Sequence, residues 1–184
     1  MGKLAKKFFA YLLDFAEIVL IAVTVFVIVY LFVAQLLEVT GNSMYPTFKD
    51  KEQIIAEKVS VKLKELERGE IIIVKSPKDT SRLLIKRVIG LPGERIMVNG
   101  GKVFINGGEL YEPYLAEGAS TYEGALVKEG LEYQIALGSY FLLGDNREQS
   151  SDSREYGTFP NELIVGRGVV VYYPLENFRF ITQE

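Results

Sequence analysis

The chain of 184 residues contains no cysteine and no histidine. Without cysteine it has no disulfide framework, no thiol nucleophile and no thiolate metal site. Without histidine it has neither a Ser-His-Asp nor a Cys-His catalytic arrangement, and it lacks the HExxH type of zinc site. The general base of any hydrolase with this sequence must therefore be Lys, Asp, Glu or Tyr. No metal and no organic cofactor is implied.

The chain carries little net charge, formally −3. Nucleic acid binding needs clustered Lys and Arg for phosphate contacts, so nucleic acid is excluded as a main partner. Hydrophobic residues make up 48% of the chain, and much of the excess lies near the N-terminus. We therefore expect an apolar N-terminal segment followed by an ordinary soluble domain.

The apolar segment runs from Ile18 to Leu37, interrupted only by Thr24, the hydroxyl of Tyr30 and Gln35. A helix of this length, at about 1.5 Å per residue, spans roughly the 30 Å hydrocarbon core of a bilayer. The alternative is a buried core helix, but the run is apolar on every face rather than amphipathic. We predict one transmembrane anchor at residues 15–37.

The orientation of the anchor follows from Lys3, Lys6 and Lys7, which precede it. The positive-inside rule predicts a cytoplasmic N-terminus over residues 1–14 and an extracytoplasmic domain over residues 38–184. We therefore expect a single-pass protein of the plasma membrane, with membrane lipid as a partner.

Beyond the anchor, short runs rich in Val, Ile, Leu and Tyr alternate with Gly, Pro, Asn and Asp, which predicts a mostly β domain. The predicted strands are Gln53–Ala56, Glu70–Lys75, Leu83–Ile89, Arg95–Val98, Lys102–Ile105, Tyr140–Leu143 and Gly168–Tyr173. Residues 107–138 are acidic and rich in Gly and Tyr. We interpret them as an insertion of loops or a hairpin, and favour a solvated structural loop without function.

The first cluster with chemical potential is Gly41-Asn42-Ser43-Met44-Tyr45-Pro46-Thr47. Gly41 and Pro46 favour an unusual backbone on either side of Ser43. Such a turn can present a hydroxyl and adjacent N–H groups to a reacting carbonyl, although such a cluster alone is usually just a turn.

The second cluster is the strand around Lys86 and Arg87, which ends in a Gly/Pro turn. Successive side chains of a strand point to opposite faces, so these two cations point in opposite directions. We expect one of them to face the interior or a cleft, although a single strand lysine is usually solvated.

The third cluster, Gly144 to Arg154, is dense in side chains that can cross-link loops. Asp152 is a candidate partner for Arg154 or for Arg87 in a charge-assisted brace. An exposed polar loop is the other interpretation.

Taken in order, the clusters resemble the bacterial type I signal peptidases, also called leader peptidases. The matching stretches are GNSMYPTF, RGEIIIVKSP, KRVIGLPGE and GDNREQSSDSREYG. The resemblance implies coiled antiparallel sheets and a serine endopeptidase that acts through an acyl-enzyme. Its implied substrates are exported preproteins with small residues at positions −1 and −3 before the cut.

The resemblance also implies roles for individual residues. Ser43 occupies the position of the nucleophile and Lys86 that of the general base. Ser150 stands where the family has a serine that orients the lysine amine. The residues implied to brace the site are Asp145, Asp152, Arg154 and Arg87.

The chain departs from some family members at Gly41, where they carry a hydroxyl that serves as an oxyanion donor. We therefore expect the oxyanion hole to use the backbone N–H of Ser43, with the amide of Gly41 or a water. Small residues at −1 and −3 need shallow apolar pockets. The candidates for their lining are Leu37, Val39, Met44, Ile54, Ile73, Leu84 and Ile85.

Two other classes of protein remain open at this point. Related Ser-Lys peptidases include soluble self-cleaving repressors, which the anchor counts against, and organelle inner-membrane peptidases. The alternative outside enzymes is a membrane-tethered, non-catalytic β module that binds peptides. We expect a monomer.

Overall fold

A computed structural model describes residues 2–181, without the side chains of residues 3–6. The chain begins with helix α1 (Lys3–Ile28), which continues into a π-helical turn at Val29–Val33. The helical stretch Lys7–Val33 is long and apolar enough to cross a membrane, and its most apolar window has no residue buried inside the protein. The alternative of a buried core helix is therefore wrong.

The helical stretch ends earlier than the apolar run in the sequence. We predicted that the helix extends to Leu37, but strand β1 (Ala34–Glu38) begins directly after Val33. Strand β1 pairs along its whole length with strand β2 (Gln53–Glu57). This pairing satisfies the backbone groups on the β2 side of β1 and packs Leu37 against the core, so tertiary contacts override the apolar pattern.

The other strands of the main sheet are β3 (Ile71–Lys75), β4 (Leu83–Gly90), β9 (Ser139–Leu143), β10 (Phe159–Pro160), β11 (Ile164–Tyr173) and β12 (Arg179–Phe180). The sheet is antiparallel throughout, with strand order β1-β2-β11-β3-β4-β9-β10 and β12 paired to β11. Register shifts interrupt the pairing of β11 with β2 and with β3, and that of β4 with β9, and such irregularities bend a sheet. The fold is mostly β with antiparallel sheets after one apolar helix, as predicted.

A second, four-stranded sheet has the order β7-β6-β5-β8. Its strands are β5 (Arg95–Asn99), β6 (Lys102–Ile105), β7 (Gly108–Glu109) and β8 (Tyr133–Gln134). Strands β7 and β8 come from residues 107–138 and pair with β6 and β5 rather than with each other. Val127 and Ile135 are buried in the core beside this sheet. Most residues of the segment are exposed and lie outside regular strands, but its two short strands and these two buried side chains attach it to the domain.

Short helices complete the domain. They are α2 (Ser60–Leu63), α3 (Ser153–Tyr156) and 3-10 turns at Arg147–Gln149, Asn161–Leu163 and Leu175–Asn177. The element that matters most for the site is β4, which pairs with β3 from Leu83 to Arg87 but with β9 only from Arg87 onwards. In the described structure, the β9-side edge of β4 is thus unpaired from Leu83 to Lys86.

Candidate active site

The side chains of Ser43 and Lys86 meet at the unpaired edge of β4. Lys86 Nζ lies 2.8 Å from Ser43 Oγ, within hydrogen-bond distance. The Lys86 side chain comes from a central strand and is only 2% exposed. Of the two adjacent cations on β4, Lys86 is therefore the one that faces Ser43.

Burial changes the ionisation of Lys86. Loss of solvent is the largest effect and lowers the pKa of Lys86 from 10.5 to about 8. The charges of Asp152 and Asp145 raise this pKa, whereas those of Arg82 and Arg154 lower it. A substantial fraction of Lys86 is therefore neutral near pH 8, and a neutral amine can accept a proton from a hydroxyl.

Ser43 lies in a tight turn that is fixed to a distant loop. The N–H of Tyr45 donates to the carbonyl of Asn42 (3.1 Å), and the N–H of Asn146 donates to the carbonyl of Ser43 (3.1 Å). Gly41 adopts φ +84°, a conformation that favours glycine. These contacts fix the backbone on both sides of the Ser43 hydroxyl.

The backbone N–H groups near Ser43 differ in whether they are free to donate a hydrogen bond to an oxyanion. Gly41 N–H donates to Asp50 Oδ1 at 2.7 Å, so it is not free to bind an oxyanion in this arrangement. The expectation that Gly41 contributes an oxyanion donor is therefore not met. No hydrogen bond joins the Ser43 amide to another of the described residues, which leaves it as the candidate donor.

Ser150 lies in the site but does not make the expected bond to Lys86. Its Oγ is buried and has no hydrogen-bond partner among the described residues. A buried hydroxyl without a partner is unusual in folded proteins. The role of Ser150 in orienting Lys86 stays a prediction.

Arg87, on the opposite face of β4 from Lys86, pairs with Asp145. Its Nε and Nη2 donate to the two carboxylate oxygens at 2.9 and 2.7 Å, and both side chains are almost fully buried. Thr47 also donates to Asp145, and the guanidinium lies 3.8 Å from the centre of the Tyr114 ring. This pair fixes the loop after β9 to the strand that carries Lys86.

Asp152 pairs with Arg154, which decides between the two partners that the sequence allowed. Arg154 Nε and Nη2 donate to Asp152 at 2.8 and 2.9 Å, and Asp152 is fully buried. The N–H of Gly144 also donates to Asp152, at 3.1 Å. Asp152 thus holds the backbone of the loop that contacts Ser43.

Gly144 was not among the predicted site residues, although it begins the third cluster. A Cβ at this position would lie 2.2 Å from Ser150 Oγ and 2.4 Å from the carbonyl oxygen of Ser43. Both distances are below any normal contact, so only glycine allows the two segments to approach this closely. A glycine at the end of a buried strand was the available signal.

We expect Gly144→Ala to lower the free energy of unfolding by about 1–3 kcal/mol, because the new methyl group forces the two segments apart. The measurement is urea denaturation of the detergent-solubilised protein. Gly108→Ala is the matched control, since its Cβ would meet only the carbonyl of Ile105 at an ordinary 3.6 Å. An unchanged unfolding midpoint for Gly144→Ala would contradict the close approach.

A cavity of about 480 Å³ opens beside Ser43 and Lys86. It is lined by six of the seven predicted substrate-binding residues, namely Leu37, Val39, Met44, Ile73, Leu84 and Ile85. The exception is Ile54, which is 0% exposed within the core and does not line the cavity. Ile54 pairs directly with Leu37 and therefore lies on the same face of the sheet, but the core covers its side chain, and its role in substrate binding stays a prediction.

The two faces of β4 give the cavity two different walls. Leu83, which the sequence analysis missed, and Ile85 pack against the core cluster of Met44 and Ile73. Leu84 packs on the opposite face, against the cluster that contains Val74. The wall next to Met44 is therefore formed by Ile85 and its neighbours, whereas Leu84 lines the cavity from the face of β4 that carries Lys86.

Comparison with known proteins identifies the family. Residues 12–173 match the family described as Signal peptidase, peptidase S26. Signal peptidase I T of Bacillus subtilis (strain 168) is 34% identical over 182 residues, which cover 96% of this chain and 93% of that protein. Signal peptidase I U of the same organism is 36% identical over 166 residues, or 89% of this chain and 88% of that protein.

A crystal structure of a signal peptidase I from Enterococcus faecalis V583 is 29% identical, with a TM-score of 0.48, covering 56% of this chain and 97% of that one. The family match and the curated relatives each extend over most of the chain. The predicted resemblance is therefore confirmed, and the chain belongs to the signal peptidase family, peptidase S26.

Proposed function

We propose that this protein is a membrane-bound serine endopeptidase that removes signal peptides from exported preproteins, with Ser43 as nucleophile and Lys86 as general base. The observation that carries this proposal is the 2.8 Å contact between Ser43 Oγ and a buried lysine of lowered pKa. A non-catalytic peptide-binding module would have no need for a desolvated lysine at this contact, because burying the amine costs stability.

The first half-reaction is acyl transfer. Neutral Lys86 takes the proton of Ser43, and Ser43 Oγ forms a bond to the scissile carbonyl carbon. The N–H of Ser43 donates to the oxyanion that develops. The C–N bond then breaks, and Lys86 returns its proton to the leaving amine, which departs as the new N-terminus of the mature protein.

The second half-reaction is hydrolysis of the acyl-enzyme. Lys86, neutral again, takes a proton from a water whose oxygen attacks the acyl carbon. The bond to Ser43 Oγ breaks, and the proton on Lys86 passes back to the hydroxyl. The signal peptide leaves as a carboxylic acid, which loses its proton to solvent and becomes a carboxylate, and the pair is restored.

The unpaired edge of β4 supports substrate binding by addition of a strand. Leu83–Lys86 presents free backbone groups beside the apolar cavity, so an extended peptide can add as a further strand. Alternate side chains of the peptide then point to the same wall, which accounts for joint selection at positions −1 and −3. Shallow space beside Ile85 and Met44 favours alanine.

The apolar helix supports membrane attachment and the position of the site. Strand β1 begins where the helical stretch ends, and Leu37 at its far end lines the cavity. We propose a single-pass topology with a cytoplasmic N-terminus and an extracytoplasmic domain that acts as a monomer at the lipid surface. The cavity then lies close to where a signal peptide leaves the bilayer.

The substrate class is tested with a detergent-solubilised preprotein whose signal ends in Ala-x-Ala. We expect one cut after the final Ala, identified by N-terminal sequencing of the product, and little cutting when that Ala is replaced by Leu. Equal cutting of both substrates would contradict the proposed specificity, while no cutting by folded protein would favour the binding module.

We expect Ile85→Ala to relax the selection at −1 or −3, because it removes the wall against Met44. The measurement is the ratio of kcat/KM values for preproteins with Ala and Val at each position. A gain of about 10-fold or more for Val corresponds to the space of one or two methylenes. Leu131→Ala is the control, because this leucine is exposed and does not line the cavity, and it should leave the ratio unchanged. An unchanged ratio in Ile85→Ala would contradict the assignment of the wall.

A further inference from the structure

Glu112 connects residues 107–138 to the loop next to Ser43. Its carboxylate accepts from both terminal nitrogens of Arg147, one bond measuring 3.1 Å. The Glu112 side chain is 8% exposed and that of Arg147 only 1%. The hydroxyl of Tyr114 donates to Glu112 as well, at 2.8 Å. The pair is thus a buried, multiply bonded ion pair rather than a surface contact.

Arg147 in turn holds the backbone on which the site depends. Its Nε donates to the carbonyl of Gly144 at 3.1 Å, and its own carbonyl accepts from Arg154 at 2.7 Å. The neighbouring N–H of Asn146 donates to the carbonyl of Ser43. The guanidinium of Arg147 therefore links Glu112 to the loop in which Gly144 and Asn146 contact the backbone of Ser43.

We propose that Glu112 is a positioning residue for the Ser43–Lys86 pair, acting through Arg147 on the loop from Gly144 to Ser150. The proposal rests on the proposed function. Glu112 does not touch the reacting atoms, so its effect must pass through the placement of Gly144, Ser150 and the Ser43 backbone. Residues 107–138 then serve the site rather than only covering the domain.

The physical reason is the cost of a buried charge without its partner. Without the carboxylate, Arg147 keeps its hydrogen bond to Thr121 but loses the group that pairs with its charge in a nearly solvent-free position. It must move towards water or draw a different partner, and either movement weakens its bond to Gly144. Because Gly144 is in close contact with Ser43 and Ser150, displacement of its carbonyl changes the Ser43–Lys86 geometry.

The test compares Glu112→Gln with wild type on the Ala-x-Ala preprotein. We expect kcat to fall by about 10- to 100-fold, since a misplacement of about 1 Å can cost roughly 100-fold. KM should stay within about twofold, because the cavity walls at Leu37 and Ile85 are untouched. The control is Glu109→Gln in the same segment, whose partner Lys102 is exposed, and it should match wild type.

A double variant separates positioning from folding. Glu112→Leu with Arg147→Met removes both charges, a change that often preserves stability at buried pairs. We expect a melting temperature near that of wild type but a kcat still lowered, since the Gly144 carbonyl has lost its donor. Recovery of kcat together with stability, or an unchanged kcat in Glu112→Gln, would overturn the proposal.

A second measurement does not depend on the preprotein. It is the rate at which p-nitrophenyl acetate acylates Ser43, followed by mass spectrometry of the peptide that contains Ser43. Slower acylation of Ser43 in Glu112→Gln than in Glu109→Gln supports the positioning role, whether or not the preprotein is cut. If the preprotein is not cut by any of the proteins, that result counts against the proposed substrate alone. Equal acylation rates would count against positioning whatever the substrate.

Discussion

Lys86→Met should lower kcat/KM for preprotein cleavage by at least about 10⁴-fold, as removal of a catalytic base does in other serine hydrolases. Methionine has nearly the same length and no proton-accepting nitrogen. The variant should remain folded, because the lysine is buried at a cost that methionine does not incur. Cleavage of the preprotein and thermal unfolding are measured on the same detergent-solubilised sample.

The sign of the effect on stability follows from the pKa. Lys86 binds its proton less tightly in the folded protein than in the unfolded chain, since burial lowers its pKa from 10.5 to about 8. Its cost to stability is therefore fully present below pH 8 and disappears as the pH rises through 10.5. We expect Lys86→Met to have the higher melting temperature at pH 7, and the difference to shrink towards pH 10.

The same pKa sets the pH profile of the wild type. Lys86 is surrounded by the charges of Asp152, Asp145, Arg82 and Arg154, and its neutral fraction should rise about 10-fold for each pH unit below 8. We expect kcat/KM to follow that rise and to level off above pH 8. Lys86→Arg is the matched control, because a guanidinium stays charged and should give no activity at any pH. Activity in either variant would show that another group is the base.

Asp145→Asn should lower the free energy of unfolding by about 3–5 kcal/mol, because it leaves Arg87 buried without a carboxylate. Both side chains are at most 2% exposed, and two hydrogen bonds join them. The loss should appear as a lower midpoint in urea denaturation, together with lower activity, since Asp145 follows Gly144 directly.

The control for Asp145→Asn is Glu132→Gln, which breaks the exposed pair with Arg95, whose side chains are 51% and 62% exposed. Solvent-exposed pairs contribute about 0–1 kcal/mol, so this variant should be nearly neutral. Equal midpoints for the two variants would mean that Arg87 finds another partner, and that the buried pair does not hold the loop.

The sequence allowed a good part of the site to be predicted. Strand alternation required Lys86 and Arg87 to face opposite ways, and in the structure one contacts Ser43 while the other contacts Asp145. The order of the three clusters indicated the family, and the resemblance to that family implied the roles of Ser43, Lys86 and Ser150. The sequence could not decide whether Asp152 pairs with Arg154 or with Arg87, because the distances between these side chains depend on the conformation of the loop from Gly144 to Arg154.

Other features depended on contacts that no local pattern encodes. The helical stretch ends at Val33 because residues 34–38 pair with β2, although their composition still favours the anchor. The amide of Gly41 is occupied by Asp50, nine positions away. Glu112 pairs with Arg147, which lies 35 positions later in the chain. Because the local sequence does not show this pairing, the segment of Glu112 had only the pattern of an acidic loop.

The measurement that tests the central claim most directly is cleavage of the Ala-x-Ala preprotein by wild type and Ser43→Ala, with an acid quench during the first turnover and peptide mapping by mass spectrometry. The account predicts a cut after the final Ala by wild type alone, with any trapped signal-peptide acyl group on Ser43. Cleavage by folded Ser43→Ala, or an acyl group on another residue, would contradict it.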